Sequence, residues 1–282
     1  MGHEQYKLLL DQYKGKVLPN EHRASVTVRR VGGRIAIAAE KCLREWKTTT
    51  PNYSTVQKEN VSSNPPYTYT VIRSSDANAF VLPGNHVFVL TGLFKYVRDE
   101  DELASIMGHE MAHNLARHAG ERLSDTILLS ILHRLSLFID PSGTLLTFLI
   151  PAGTLLRTLP HSREHEMEAD RIGLILASEA CYDPHAAARV FARMKEDEEN
   201  YNNNNKHQGD NHRRKTSPPE WMRTHPGYNT RLSLFEKWMP DALDRFNIGD
   251  GSKCQSIREE MKRARVLAAA MHDGNEGKRR FQ

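Results

Sequence analysis

The sequence predicts an α+β fold, mostly α, with a short β-sheet or hairpin packed beside a central helix. Three observations lead there. Apolar residues recur at helical spacing over most of the 282-residue chain. Residues 79–91, by contrast, hold β-branched runs on either side of Pro83-Gly84-Asn85, a turn signal. The third is hydropathy: the strongest apolar stretch, 126–159, is broken by His133 and Arg134, by Asp140-Pro141-Ser142-Gly143, and by Pro151 and Gly153. Its pieces fall short of the roughly 17 residues that cross a bilayer, so a buried or interfacial helical hairpin is expected there.

The elements follow in chain order. Residues 4–18 and 34–47 are expected helices flanking Pro19 and Val26–Val31, and a loop rich in Thr, Ser, Asn and Pro covers 48–66. After the hairpin, residues 101–119 read as a helix. Asp99 or Asp101 caps its start, Glu102 sets negative charge in the first turn, Leu103, Ile106, Met107 and Leu115 recur at its period, and Gly120 ends it. Ser162 caps a helix that runs through Ala180, and Pro184 initiates another over 184–198. From Glu196 to Pro219 the chain is acidic, then Asn-rich, then basic, then Pro-Pro, which predicts a disordered insertion. Helix resumes over 228–246, and 254–272 reads as a basic amphipathic helix. Three parts result: an N-terminal helical extension (1–66), a central domain (67–246, containing the insertion 196–219) and a C-terminal helix and tail (247–282).

Composition excludes some functions. The net charge is +4, with no basic motif interleaved with aromatics, which argues against nucleic-acid binding. Mild positivity favours association with an anionic membrane surface. A mean hydropathy of −0.61 fits one substantial core in a mostly polar chain. Cys42, Cys181 and Cys254 are odd in number and far apart, so they are expected as reduced thiols, neither a disulfide framework nor a metal site.

The chemistry lies in His109-Glu110-Met111-Ala112-His113. Residues four apart on a helix lie about 6 Å apart along its axis on one face, so two imidazoles point at one place. That is half of a tetrahedral zinc site, with Glu110 beside it to take a proton from water. A third ligand is required. A metzincin would place Gly at 116 and His at 119, but both positions are Ala and His118 is one residue off register. The helix at 162–180 offers two carboxylate pairs at a spacing of four. Glu164 and Glu168 continue onto Arg171, Ile175 and Glu179, largely a solvent face. Glu166 and Asp170 continue onto Gly173 and Ala177, a face that suits close packing on a neighbour. Glu166 is therefore the expected ligand, and Asp170, one turn on, is placed to hold the free ring N–H of a ligating histidine.

Two further segments bear on the site. Ala79, Phe80, Val81 and Leu82 form a strand that either pairs with an extended peptide or simply packs on the helix. His86 in the turn reads as a surface histidine. In Thr224-His225-Pro226, the proline forces His225 onto a bend, and Arg231 falls on the following helix. Either side chain can donate to the oxyanion of a tetrahedral intermediate.

Gly108-His-Glu-Met-Ala-His113, Ser162-Arg-x-x-Glu166-x-x-Ala-Asp170-x-x-Gly173 and Thr224-His-Pro-x-x-x-x-Arg231, with Asn78-Ala-Phe-Val-Leu-Pro-Gly84 upstream, resemble the gluzincin zinc metallopeptidases. That family includes the bacterial heat-shock membrane peptidase, a periplasmic quality-control peptidase and the CAAX prenyl-protein peptidases. The resemblance covers roughly residues 70–240 and looks nearest to the mitochondrial inner-membrane branch, in its fungal form, whose activity overlaps that of the matrix AAA protease. It implies a zincin-like catalytic domain holding one Zn(2+) per subunit on His109, His113 and Glu166, with Glu110 catalytic and His225 and Arg231 lining the cleft. It also implies that Ala79–Leu82 bind substrate. The expected activity is endopeptidase cleavage of membrane-associated or misfolded proteins at the mitochondrial inner membrane. The alternative is a catalytically silent, chaperone-like or scaffold relative. No signal or transit peptide is legible in Met1-Gly-His-Glu-Gln-Tyr6, and Tyr6 stands where myristoylation needs Ser or Thr, so a shortened N-terminus is expected relative to imported relatives.

Overall fold

A computed structural model describes residues 2–49, 66–118, 163–206, 221, 224–225, 228–247 and 254–266. The fold is α+β and mostly helical. In chain order it comprises α1 (Gly2–Gln12), α2 (Arg23–Thr49), β1 (Thr68–Ile72), β2 (Ala79–Leu82), β3 (His86–Leu90), a 3₁₀ turn (Thr91–Lys95), α3 (Glu100–Leu115), α4 (Arg163–Glu179), α5 (His185–Lys206), α6 (Tyr228–Phe246) and α7 (254–266).

The hairpin lies where its turn residues predict. β2 pairs antiparallel with β3 through Gly84 and Asn85, whose φ values of 94° and 65° fall in the left-handed region. The sheet nevertheless has three strands, in the order β1-β3-β2, because Thr68–Ile72 adds parallel to β3. The central strand is apolar on both faces. Val87 and Val89 enter the main core, whereas Phe88 and Leu90 join Ile72 beneath Tyr6, Leu9, Leu10 and Tyr13.

Four expectations need correction. α1 stops at Gln12 rather than 18, and Val17 instead bridges to Ile72 at the sheet edge. Val26–Val31 are not a break: α2 is continuous from Arg23, since Val28, Val31 and Ile35 are all buried along one helical face. The disordered insertion does not begin at 196, because α5 continues to Lys206. Asp197 anchors this part, its carboxylate accepting from Lys95 Nζ at 2.5 Å and Tyr96 Oη at 2.8 Å. Finally, Cys181 and Cys254 are joined in a disulfide, leaving Cys42 as a buried free thiol. Residues 50–65 of the loop expected over 48–66, the apolar stretch 126–159, the cap Ser162, the stop Gly120, the rest of the insertion and the tail beyond 266 lie outside the described residues, and Thr48 and Thr49 belong to α2.

The disulfide joins the end of α4 to α7 across 73 residues. Closing a loop of that length restricts the unfolded chain by about 4 kcal/mol. Cys181→Ser is therefore expected to lower unfolding stability by roughly that amount in denaturant titrations, and reductant to do the same to the wild type. Equal midpoints with and without reductant would contradict this.

α3 sits at the centre, buried on every side from Glu100 to His113. Asp99 caps it as predicted, Oδ1 accepting from the Glu102 amide at 2.8 Å. The three acids of the first turn each meet an arginine from a different helix: Glu100 pairs with Arg30, Asp101 accepts from Arg258 at 2.7 Å, and Glu102 pairs with Arg193. These contacts pin the start of the helix that carries the motif. Its middle is set by a backbone contact with α4. A Cβ built on Gly108 would lie 2.8 Å from the Gly173 carbonyl oxygen, and one on Gly173 would lie 2.7 Å from the His109 nitrogen. The small-residue face of α4 thus packs on α3 as its sequence suggested.

Candidate metal centre

Because α3 and α4 meet at these glycines, the side chains one and two turns away converge. His113 Nε2 lies 3.1 Å from His109 Nε2. Glu166 from α4 places Oε1 3.4 Å from His113 Nε2 and Oε2 3.6 Å from His109 Nε2. His225, on the bend before α6, brings Nδ1 to 3.2 Å from His109 Nε2 and 3.0 Å from Glu166 Oε2. All four residues are buried, and their ligand atoms lie within 4.8 Å of one another. The edge of a tetrahedron with metal–ligand bonds of about 2.0–2.1 Å is about 3.3 Å, so the spacing and the donor set suit a metal ion. This group can hold a metal.

The second layer is ordered on both sides. His109 Nδ1 lies 2.9 Å from Asp170 Oδ1, the position expected for a carboxylate that fixes the ring. Arg231 grips the same carboxylate with two bonds of 2.7 Å, from Nε and Nη2. Its Nη1 also lies 3.3 Å from Glu166 Oε2 and donates to the His225 carbonyl at 3.2 Å. The guanidinium rests 4.3 Å above the Phe191 ring and is 2 % exposed. Arg231 therefore braces three components of the centre at once. Trp221 closes the site from another side, its ring 4.2 Å from that of His225 and 5.7 Å from that of His109.

The charges follow from this packing. Burial raises the Glu166 carboxyl, but hydrogen bonds to His113 and His225 and the charges of His225 and His109 override it and hold the carboxyl far below its usual range. Asp170 is likewise lifted by burial and pulled below normal by Arg231 and His109. Glu110 has no such compensation. Burial and the neighbouring Glu166 charge push it well up, against a smaller opposing pull from Arg231. Its Oε1 lies 3.4 Å from His225 Nε2 without making a hydrogen bond among the described residues. Burial also drives His225 down to about 4, with Glu166 opposing and the nearby His109 and Arg231 assisting.

The sequence-predicted residues His109, Glu110, His113, Glu166, Asp170, His225 and Arg231 are thus brought into one buried cluster. The strand Ala79–Leu82 lies at the edge of the described sheet, and the turn after it is tied to α3 by Asn114 Nδ2 donating to Asn85 Oδ1 at 2.8 Å. His86 stays out of the cluster, stacked on Tyr6 at 4.0 Å. Two participants escaped the sequence reading. Trp221 has no spacing signal, and His118, discarded as off register for a ligand, is buried behind His113.

The model of peptidase family M48 matches residues 52–239. The fission yeast Schizosaccharomyces pombe has a similar protein, a mitochondrial metalloendopeptidase OMA1, 33% identical over 243 residues; the match covers 86% of this chain and 61% of that protein. The OMA1 of Saccharomyces cerevisiae is 29% identical over 257 residues, 91% of this chain and 67% of its own length. A beta-barrel assembly-enhancing protease of Yersinia pestis is 25% identical over 234 residues, 78% of this chain and 42% of the relative.

Proposed function

This chain belongs to peptidase family M48, and from that premise we propose that it is a zinc-dependent endopeptidase whose centre is His109, His113 and Glu166, with Glu110 as the general base. The observation that carries this reading is the convergence of two imidazole nitrogens and a carboxylate beside a buried Glu110 oxygen that makes no hydrogen bond among the described residues. Zinc, when bound, supplies a water acidic enough to ionise near neutrality and a Lewis acid for the scissile carbonyl. Glu110 takes the proton of the attacking water and returns it to the leaving amine. Asp170 and Arg231 hold His109 and Glu166 in place. His225 Nδ1 stands among the same donor atoms and would offer the metal a fourth ligand, where a catalytic site needs room for water. Were His225 to withdraw, that place would open to water and its N–H could donate to the developing oxyanion.

The substrate reading rests on the edge strand Ala79–Leu82, which offers backbone pairing to an extended polypeptide with little sequence preference. Membrane-associated or misfolded proteins fit that recognition. The yeast relatives are named mitochondrial, which supports a mitochondrial location, and the motif resemblance favours the inner membrane. No helix among the described residues is long and apolar enough to cross a membrane. The Cys181–Cys254 disulfide favours an oxidising face.

Metal content tests the reading. The purified chain is expected to carry one zinc per subunit by elemental analysis, and a chelator to abolish cleavage of an unfolded protein until zinc is restored. His109→Ala should lose the metal. Cleavage that persists after complete zinc removal would refute the proposal.

A further inference from the structure

We propose that His118 and Glu168 form a positioning chain that orients His113 and sets how strongly it holds the metal; the inference rests on the metal-site reading above. The residues behind the two ligating imidazoles differ. His109 meets a buried carboxylate, Asp170, directly. His113 instead places Nδ1 2.8 Å from Nδ1 of His118, whose Nε2 lies 3.1 Å from Glu168 Oε2. His118 is 1 % exposed, and its ring stacks on that of His165 at 4.2 Å and 16°. The Glu168 side chain is 56 % exposed, so the chain runs from the centre to solvent.

The two contacts of this chain fit a definite assignment of protons once a metal is held. With a metal held on Nε2 of His113, that nitrogen gives its lone pair to the ion and the ring proton sits on Nδ1. That N–H donates to His118 Nδ1, which must accept. A neutral His118 then carries its proton on Nε2 and donates it to the Glu168 carboxylate. A doubly protonated His118 would set two N–H groups against each other across 2.8 Å. The arrangement thus selects one tautomer of each ring and delivers the pull of a carboxylate to His113 through a second imidazole. Partners of this kind behind metal-bound histidines are worth roughly 10–100-fold in metal affinity.

Zinc affinity measured by competition with a chromophoric chelator tests this, with thermal unfolding of each metal-free protein recorded alongside. His118→Ala is expected to weaken zinc binding by about 10–100-fold. His118→Gln keeps an acceptor for the His113 N–H and should recover most of that loss. Glu168→Gln, at an exposed position that leaves folding intact, should weaken binding by about two- to tenfold. A His118→Ala protein that binds zinc within twofold of wild type overturns the proposal. So does equal weakening by Ala and Gln, which would mark His118 as packing alone, and so does an unaltered affinity in Glu168→Gln. A wild-type chain that takes up no zinc overturns the metal-site reading itself, before any variant is compared.

Discussion

Glu110→Gln is expected to lower the turnover of an unfolded protein substrate by about 10²- to 10⁴-fold while leaving one zinc per chain in place. The substitution is nearly isosteric and removes just the capacity to accept a proton. Glu110 is buried, and its carboxyl stands near that of Glu166, so desolvation and repulsion both disfavour its charged form. A neutral amide relieves both costs. The variant should therefore melt no lower than wild type even as activity collapses, an inverse pairing that separates a functional loss from a folding defect. Turnover numbers, bound zinc and melting temperature, measured on the same preparations, decide it. Equal rates would remove Glu110 from the mechanism, and a wild type that cleaves nothing with zinc bound would favour the silent scaffold.

Arg231→Met should destabilise the metal-free protein by about 3–5 kcal/mol. Arg231 is 2 % exposed, and the side chain it grips, Asp170, is 1 % exposed, so methionine would leave a carboxylate uncompensated in the interior. Glu166 would lose a cation 3.3 Å away as well. Arg231→Lys preserves charge but not the two parallel bonds to Asp170, and should fall between wild type and Arg231→Met. The double variant Asp170→Asn with Arg231→Met should recover part of the loss, since both charges then leave together. Denaturant titrations of the four proteins measure these differences. A loss below about 1 kcal/mol for Arg231→Met would reduce the ion pair to an incidental contact.

The site was more legible than the scaffold. Regular spacing marked His109 and His113, and small residues one turn beyond Glu166 and Asp170 told which face of α4 packs, a prediction realised in the contact between Gly108 and Gly173. What stayed hidden depends on partners distant in sequence. Thr68–Ile72 has strand composition but pairs parallel with a strand 18 residues on, so no turn announces it. Gly32 lies inside α2 where a Cβ would strike the Tyr69 ring, so that glycine serves a close approach within a helix. An odd cysteine count hid the 181–254 pair, because odd numbers do not say which thiol stands alone. His118 was judged as a ligand and rejected; its place behind a ligand follows from how α3 ends, with Arg117 at a φ of 59° turning the chain back toward His113.

The glycine contact between α3 and α4 also constrains how this chain can change. His109 adjoins Gly108, and Glu166 lies two turns before Gly173, so the distance between the two main chains and the bite of the chelate are one variable. Any side chain admitted at either glycine would push the helices apart and lengthen the gap from carboxylate to imidazole in the same motion. Looser packing at this contact would thereby spread the very atoms that could hold a metal.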